Sequence, residues 1–225
     1  MTKIIDLSIQ EKVYKGKKSS LSLLKNFRLE VNSGERIAIV GKSGAGKTTL
    51  LNILGLLDRE YTGSYELFGS ITNDMTLSQF AELRNQKIGF GLQESALIDT
   101  LTIEENIRLP LLYSNGKREP ENFESIIDGI GISHILNKKP IECSGGEKSR
   151  AVFARAIIMR PQLLLCDEPT ASLDGENKER ILSLLHKMNQ EFGTTIITVT
   201  HDMEVANCHD RIIHLERRPA MKSQA

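Results

Sequence analysis

The chain has 225 residues, 40% of them hydrophobic and 26% charged, with 29 lysines and arginines against 29 aspartates and glutamates. At roughly 150 residues per domain, that length fits one large α/β unit or a core with an inserted subdomain, and two unrelated domains would be cramped. The balanced charge lacks the basic excess of a nucleic-acid binder, and no apolar run reaches the roughly 20 residues of a membrane helix, since Asn52 and Gly55 interrupt Leu50 to Leu57.

At the N-terminus, Lys3, Asp6, Gln10 and Glu11 leave no apolar core for a secretory signal, so the chain is expected to stay in the cytoplasm. Ile5, Leu7 and Ile9 alternate, and Leu21, Leu23, Phe27, Leu29 and Val31 do so less regularly, which predicts antiparallel strands. After the turn Asn32-Ser33-Gly34-Glu35, the apolar run Arg36 to Val40 predicts a strand buried on both faces, followed by a helix over Thr48 to Leu57. Lys87 to Leu92 is read as another strand. From about Glu94 to Glu142 the pattern turns helical, with patches at Ile103 to Leu109 and Glu121 to Ile130, as expected of an insertion. Leu163 to Cys166 and Thr194 to Thr200 are strand-like and flank a helical stretch from Glu176 to Phe192, and such alternation implies a parallel sheet. The tail after Glu216 reads as frayed. Cys143, Cys166 and Cys208 form an odd set without a CxxC pair, so reduced thiols are expected and neither a disulfide framework nor a zinc site.

Gly41-Lys42-Ser43-Gly44-Ala45-Gly46-Lys47-Thr48 matches G-x-x-x-x-G-K-[ST] between a buried strand and a helix, the setting of a phosphate-binding loop, with Thr49 next in line. Its glycines let backbone N–H groups turn inward on phosphates, the helix N-terminus adds positive potential, Lys47 reaches the β/γ oxygens and Thr48 holds Mg²⁺. Leu163 to Cys166 runs into Asp167 and Glu168. Two acids after a strand are often only a loop start or a cap. Paired with a phosphate loop, they point to a metal ligand in Asp167 and a water-polarising base in Glu168.

Cys143-Ser144-Gly145-Gly146-Glu147, followed by Lys148-Ser149-Arg150, resembles the signature of ATP-binding cassette (ABC) ATPases, and the likeness extends from Tyr14 to His201. Independently of that likeness, Ser144, Gly145 and Gly146 before a helical stretch offer a hydroxyl and bare N–H groups to an anion. The resemblance implies an α/β fold: a RecA-like P-loop NTPase core with a parallel sheet, an N-terminal antiparallel β subdomain, and an inserted α-helical subdomain. The core would span residues 1–93 and 151–225 and the helical part about 94–150. The resemblance also implies an ATP sandwich homodimer, in which Ser144, Gly145, Gly146 and Glu147 of one copy close over the γ-phosphate held by the other. Tyr14 corresponds to the family's adenine-stacking residue, Gln93 to the glutamine that reaches Mg²⁺ and the attacking water, Asp174 in Ser172-Leu173-Asp174 to the interface loop, and His201 to the switch histidine at the γ-phosphate. His134, His186, His209 and His214 have no such placement and are expected on the surface or in packing. The signature normally opens with leucine, so Cys143 leaves the packing beneath it in question, and Phe90-Gly91-Leu92 is looser than the family's usual bulky run.

With no membrane span of its own, a cassette of this type is expected to energise a separate integral membrane permease on the cytoplasmic face of a bacterial membrane, docked beside Gln93. Leu109-Pro110-Leu111-Leu112-Tyr113 and Gly55-Leu56-Leu57-Asp58-Arg59 resemble the branch of macrolide-efflux, lipoprotein-releasing, cell-division and bacteriocin-export ATPases. Two outcomes stay open: export of a peptide, antimicrobial or lipid-linked substrate, or a mechanical or sensing complex in which nothing crosses. Soluble cassettes of translation or DNA repair usually carry two cassettes or a long coiled coil, for which this chain has no space.

Overall fold

Strands β1 (Lys3–Lys15) and β2 (Ser20–Asn32) form an antiparallel hairpin with Ile5 opposite Val31 and Leu7 opposite Leu29. The computed structural model describes residues 2–15, 20–91, 97–114, 123–171 and 173–216; the tail after Glu216 lies outside them. Side chains alternate along a strand, so Ile5, Leu7, Ile9, Leu29 and Val31 share one buried face. In the second strand Asn26 turns left-handed at φ 50°, where the buried set passes from Leu29 to Leu24, and the register shifts again between Lys12 and Val13, so the apolar alternation weakens.

Next come β3 (Arg36–Val40) and α1 (Lys47–Leu54). The helix starts one residue earlier and ends three residues earlier than the sequence predicts. Gly55 caps it and Leu56 turns left-handed at φ 61°, which places Leu56 back in the core. β4 (Thr62–Leu67) pairs with β1 through Leu7↔Tyr65, and β5 (Ser70–Ile71) completes an antiparallel sheet of order β2-β1-β4-β5. Helix α2 (Leu77–Lys87) opens with a capping box between Thr76 and Gln79, and it absorbs Lys87, so that β6 (Ile88–Gly91) begins one residue later than the sequence predicts.

The remaining elements are α3 (Ile103–Leu112), α4 (Phe123–Ile130), α5 (Gly145–Ile157), β7 (Leu163–Asp167), α6 (Gly175–Phe192), β8 (Thr195–Thr200), α7 (Met203–Asn207) and β9 (Arg211–His214). β6, β7, β8, β3 and β9 form the expected parallel sheet, in that order. Strand periodicity builds two cores from the same sheet. Leu163 and Leu165 of β7, with Ile197 and Val199 of β8, pack against α1 and the antiparallel sheet. Leu164 and Cys166, with Ile196, face the opposite way and pack with α3, α4, α5 and α6. The phosphate-loop helix therefore lies between two sheets, fixed on both sides. Among the described residues, no helix is long and apolar enough to cross a membrane.

Candidate active site

Residues Gly41 to Gly46 join β3 to α1 and form the floor of a 690 Å³ cleft, lined further by Leu23, Lys47, Thr48, Thr49, Asp167, Glu168 and His201. Two glycines are required by geometry. Gly46 adopts φ 95° as the residue before α1, where a side chain would be strained. A methyl on Gly41 would overlap the Leu215 carbonyl oxygen, whose own N–H donates to Val40 O at 2.7 Å. Lys47 Nζ donates to Gly41 O at 2.8 Å and Lys42 O at 3.4 Å, so its ammonium is folded over the loop. Ala45 and Thr49 are buried beneath it, while Lys42, Ser43 and Gly44 are exposed.

The parallel sheet brings the end of β7 against the start of α1. Thr48 Oγ1 donates to Asp167 Oδ2 at 2.9 Å, joining positions 119 apart in the chain. Asp167 is 8% exposed, and burial, together with the neighbouring Glu168 charge, raises its carboxyl above the ordinary range. A hydroxyl and a carboxylate suit a hard cation, and adjacent ligands of an octahedral Mg²⁺ at about 2.1 Å lie about 3.0 Å apart, close to the separation of this pair, so the two residues fit that ion. Such a site needs few protein ligands, and among the described residues no group of three or more His, Cys, Asp or Glu is arranged for a metal.

Glu168 stands one residue beyond the strand in a left-handed conformation, φ 50°, the kind of backbone strain that collects at functional sites. Its N–H donates to Val199 O at 2.9 Å, which holds the turn against β8. The carboxylate is gripped from both sides: Oε1 lies 2.7 Å from His201 Nδ1, and Oε2 accepts from Thr200 Oγ1 at 3.3 Å and His201 N at 3.4 Å. The glutamate is largely enclosed, and the imidazole is mostly exposed toward the cleft. One carboxylate and one imidazole at this spacing can orient a water and take its proton.

Other expected site residues lie elsewhere. Ser144 caps α5, accepting from Glu147 N at 3.3 Å, while Glu147 Oε2 accepts from Ser144 N at 2.7 Å. That N–H holds the Glu147 carboxyl below its usual range. Gly145 is exposed with nothing near its missing side chain, and neither it nor Ser144, Gly146 or Glu147 lines the cleft. Cys143 is buried in the second core with its Sγ 3.5 Å from Lys139 O, so the thiol occupies an apolar position beneath the signature helix. Asp174 caps α6 by accepting from Asn177 N at 2.9 Å and is exposed, away from the cleft. Tyr14, half-exposed, donates through its hydroxyl to Asp58 Oδ2 at 3.1 Å, and Lys12 Nζ sits 4.6 Å from its ring centre. Gln93 and Ser172 lie outside the described residues.

Of the other histidines, His209 is held by Thr198 Oγ1 and Val205 O, both at 2.9 Å, and His134 Nε2 lies 3.1 Å from Glu147 Oε1. Three participants escaped sequence reasoning. Leu23 closes the cleft wall, Thr200 braces Glu168, and the buried Lys12 fixes Asp58. Only Thr200 carried a usable signal, as the residue before His201 at the end of a strand.

A family profile described as "ABC transporter" matches residues 24–171, more than half of the sequence. The chain belongs to the ABC transporter family. It is 40% identical over 212 residues to an uncharacterized ABC transporter ATP-binding protein, YknY, of Bacillus subtilis, covering 93% of this chain and 92% of that one. The lipoprotein-releasing system ATP-binding protein LolD of Francisella tularensis is 37% identical over 207 residues, 91% of this chain and 90% of that protein. The macrolide export ATP-binding/permease protein MacB of Syntrophobacter fumaroxidans is 39% identical over 216 residues, 94% of this chain but only 30% of MacB. Among solved structures, the ATP-binding cassette MJ0796 of Methanocaldococcus jannaschii, in a dimeric post-hydrolysis state bound to ADP and Pi, superposes with a TM-score of 0.89 at 35% identity, covering 99% of this chain and all of that one. This ABC chain is thus an ATP-binding subunit with the P-loop NTPase fold and an added antiparallel sheet, and its relatives fall in the macrolide-export and lipoprotein-release branch.

Proposed function

We propose that the chain hydrolyses ATP as a head-to-tail homodimer and drives a separate integral membrane permease from the cytoplasmic face of a bacterial membrane. The observation that carries the hydrolytic part is the Glu168–His201 contact of 2.7 Å at the rim of a cleft floored by the phosphate loop. Backbone N–H groups of Gly44 to Thr48 cradle the phosphates, and Lys47 exchanges the Gly41 carbonyl for a β/γ oxygen. Thr48 and Asp167 would hold Mg²⁺, which supplies charge neutralisation of the phosphates when bound; Gln93 is the third residue assigned to that ion. Glu168 accepts the proton of an attacking water, and His201 holds the carboxylate and faces the γ-phosphate. Tyr14 stacks on adenine.

Homodimer closure explains why Ser144 to Glu147 and Asp174, each at a helix N-terminus, face away from their own chain's cleft: they serve the other copy's nucleotide. MJ0796, similar along its full length, is described as dimeric. The permease site is a 530 Å³ groove in which Leu57, from one of the two branch-resembling segments, meets Leu109, Pro110 and Tyr113 from the other, with Arg84 and Phe90 between them. Tyr113 in the groove and its neighbour Leu112 are both exposed, an apolar surface suited to a helix of the permease. The relatives named for macrolide export and lipoprotein release favour export of a peptide, antimicrobial or lipid-linked substrate.

Glu168→Gln tests the central step. The variant should bind ATP and lose turnover by about a hundredfold or more, since the amide keeps the shape without the base. Near-normal turnover would overturn the assignment. Affinity purification from membranes should recover a permease, and recovery of ribosomes or DNA in its place would refute the transport reading.

A further inference from the structure

Outside the lining of the cleft, Lys178 of α6 reaches across to the turn after β8. Its Nζ donates to Asp202 Oδ2 and Glu204 Oε2, both at 2.7 Å, and its side chain is 18% exposed. Asp202 is committed on its other atoms as well. Oδ1 accepts from Glu204 N at 2.8 Å as the cap of α7, and its N–H donates to Thr200 Oγ1 at 3.0 Å. That hydroxyl in turn donates to Glu168 Oε2 at 3.3 Å, and the other oxygen of Glu168 meets His201. A continuous series of polar contacts therefore runs from the Lys178 ammonium through Asp202 and Thr200 to Glu168. His201 sits inside it, between Thr200 and Asp202 in the chain.

The series starts on the first turn of α6. Lys178 N donates to Asp174 O at 2.8 Å, and Asp174 caps that same turn. Without a cation, Asp202 and Glu204 would face each other uncompensated on the turn that carries His201. Water screens their repulsion, Glu204 being 85% exposed, and the main loss is the anchor on Asp202, whose N–H, with that of His201, fixes the Thr200 and Glu168 oxygens.

We propose that Lys178 is a positioning residue for ATP hydrolysis, a strut that locks the 200–204 turn so that Glu168 and His201 keep their spacing and that ties them to the helix end bearing Asp174. The proposal rests on the reading of Glu168 and His201 as the hydrolytic pair. Lys178 does not line the phosphate-loop cleft, so its loss should lower kcat and leave ATP binding intact. A lysine that merely stabilised the fold would shift the unfolding midpoint and leave kcat of the folded fraction unchanged.

The test uses the full chain. Lys178→Met should lower kcat by roughly fivefold with KM for ATP changed less than about twofold, because a small displacement of a base costs rate rather than affinity. Lys178→Arg should restore most of the rate. In Lys178→Met the NMR resonances of the His201 imidazole should shift, and they should return in Lys178→Arg. Asp202→Asn, which keeps the cap oxygen but loses the ion pair, should show the same fall, and the double variant should fall no further than either single one. A Lys178→Met chain with kcat within about twofold of the parent and unshifted His201 resonances overturns the strut, as does a loss that Lys178→Arg fails to rescue. Glu168→Gln run in parallel separates the two levels. If it abolishes turnover while Lys178→Met does nothing, the hydrolytic pair stands and the strut falls; if it turns over normally, both fall.

Discussion

Lys12 is a lysine only 1% exposed, in a strand whose neighbours Ile5, Leu7 and Ile9 form the core. Its charge is compensated by Asp58 Oδ1 at 2.7 Å and Glu60 O at 2.8 Å, with the Tyr14 ring alongside. Asp58 is less enclosed, 14% exposed, and has two further donors, Glu60 N at 3.0 Å and the Tyr14 hydroxyl. The pair is therefore asymmetric. Asp58→Asn strands an enclosed ammonium, and breaking such a pair from one side costs about 3–5 kcal/mol. Lys12→Met removes the enclosed charge itself, fills the lysine stem with a thioether, and leaves Asp58 two donors and some water, so the expected cost is about 1–2 kcal/mol. Urea unfolding of the two single variants and the double variant at pH 7 should then give Asp58→Asn an unfolding free energy roughly 2 kcal/mol below that of Lys12→Met, seen as a lower midpoint at similar slopes. The double variant should be more stable than Asp58→Asn alone. An Asp58→Asn cost no larger than that of Lys12→Met, or strict additivity in the double variant, would refute the reasoning.

The same cluster sets a pH dependence. Burial pushes the Asp58 carboxyl upward, but Lys12, the Glu60 N–H and the Tyr14 hydroxyl outweigh it and hold the group below its ordinary value. A carboxylate depressed in the folded state contributes stability that is complete above its unfolded pKa of about 3.9 and is lost as pH falls through the folded value. The stability gap between the parent and Lys12→Met should accordingly narrow below about pH 4.

Gly145→Ala should leave unfolding unchanged, because a methyl there meets nothing within 4 Å in its own chain, yet it should lower ATP turnover if a second copy's phosphate approaches; normal turnover would count against the dimer reading. Gly89→Ala should cost about 1–3 kcal/mol in denaturant unfolding, since the added carbon overlaps Ala156 O and comes within 2.8 Å of Pro161 Cγ. Tyr65→Phe strands the Leu54 carbonyl that its hydroxyl reaches at 2.9 Å in the core, a loss of about 1–2 kcal/mol by the same assay. Lys47→Ala should weaken ATP affinity itself, measured by titration calorimetry, and an unchanged affinity would contradict the phosphate-loop assignment.

The parallel sheet was legible because its strands are short apolar runs, and β7 ends on the two acids that mark its chemistry. Other elements were missed because they bury little. α2 hides only Phe80, and β4 only Tyr65 and Leu67, so neither has a continuous apolar face, although Thr76 and Gln79 did spell out a capping box. Helix α1 was read too long because Leu56 and Leu57 look helical, and only the backbone shows Leu56 turned left-handed. Lys12 defeats pattern reading altogether. In sequence it is a polar residue on a strand, and its burial depends on Asp58, 46 positions away.

The zero net charge of the sequence is repeated on a small scale in the cleft. Lys42 and Lys47 are set against Asp167 and Glu168 on its lining, so side-chain charge alone offers a polyphosphate little attraction. The field that favours phosphate comes from oriented backbone at the start of α1, which needs no counter-charge and which the buried position of that helix between two sheets holds rigid. Two carboxylates beside bound phosphate are a liability for affinity. They are tolerable if one is offset by a divalent cation with Thr48 and the other is the base that hydrolysis requires. The raised carboxyl of Asp167 and the doubly held carboxylate of Glu168 divide along those lines: burial outweighs the Thr48 hydrogen bond and the Lys47 charge at Asp167, while Glu168 is held by both Thr200 and His201.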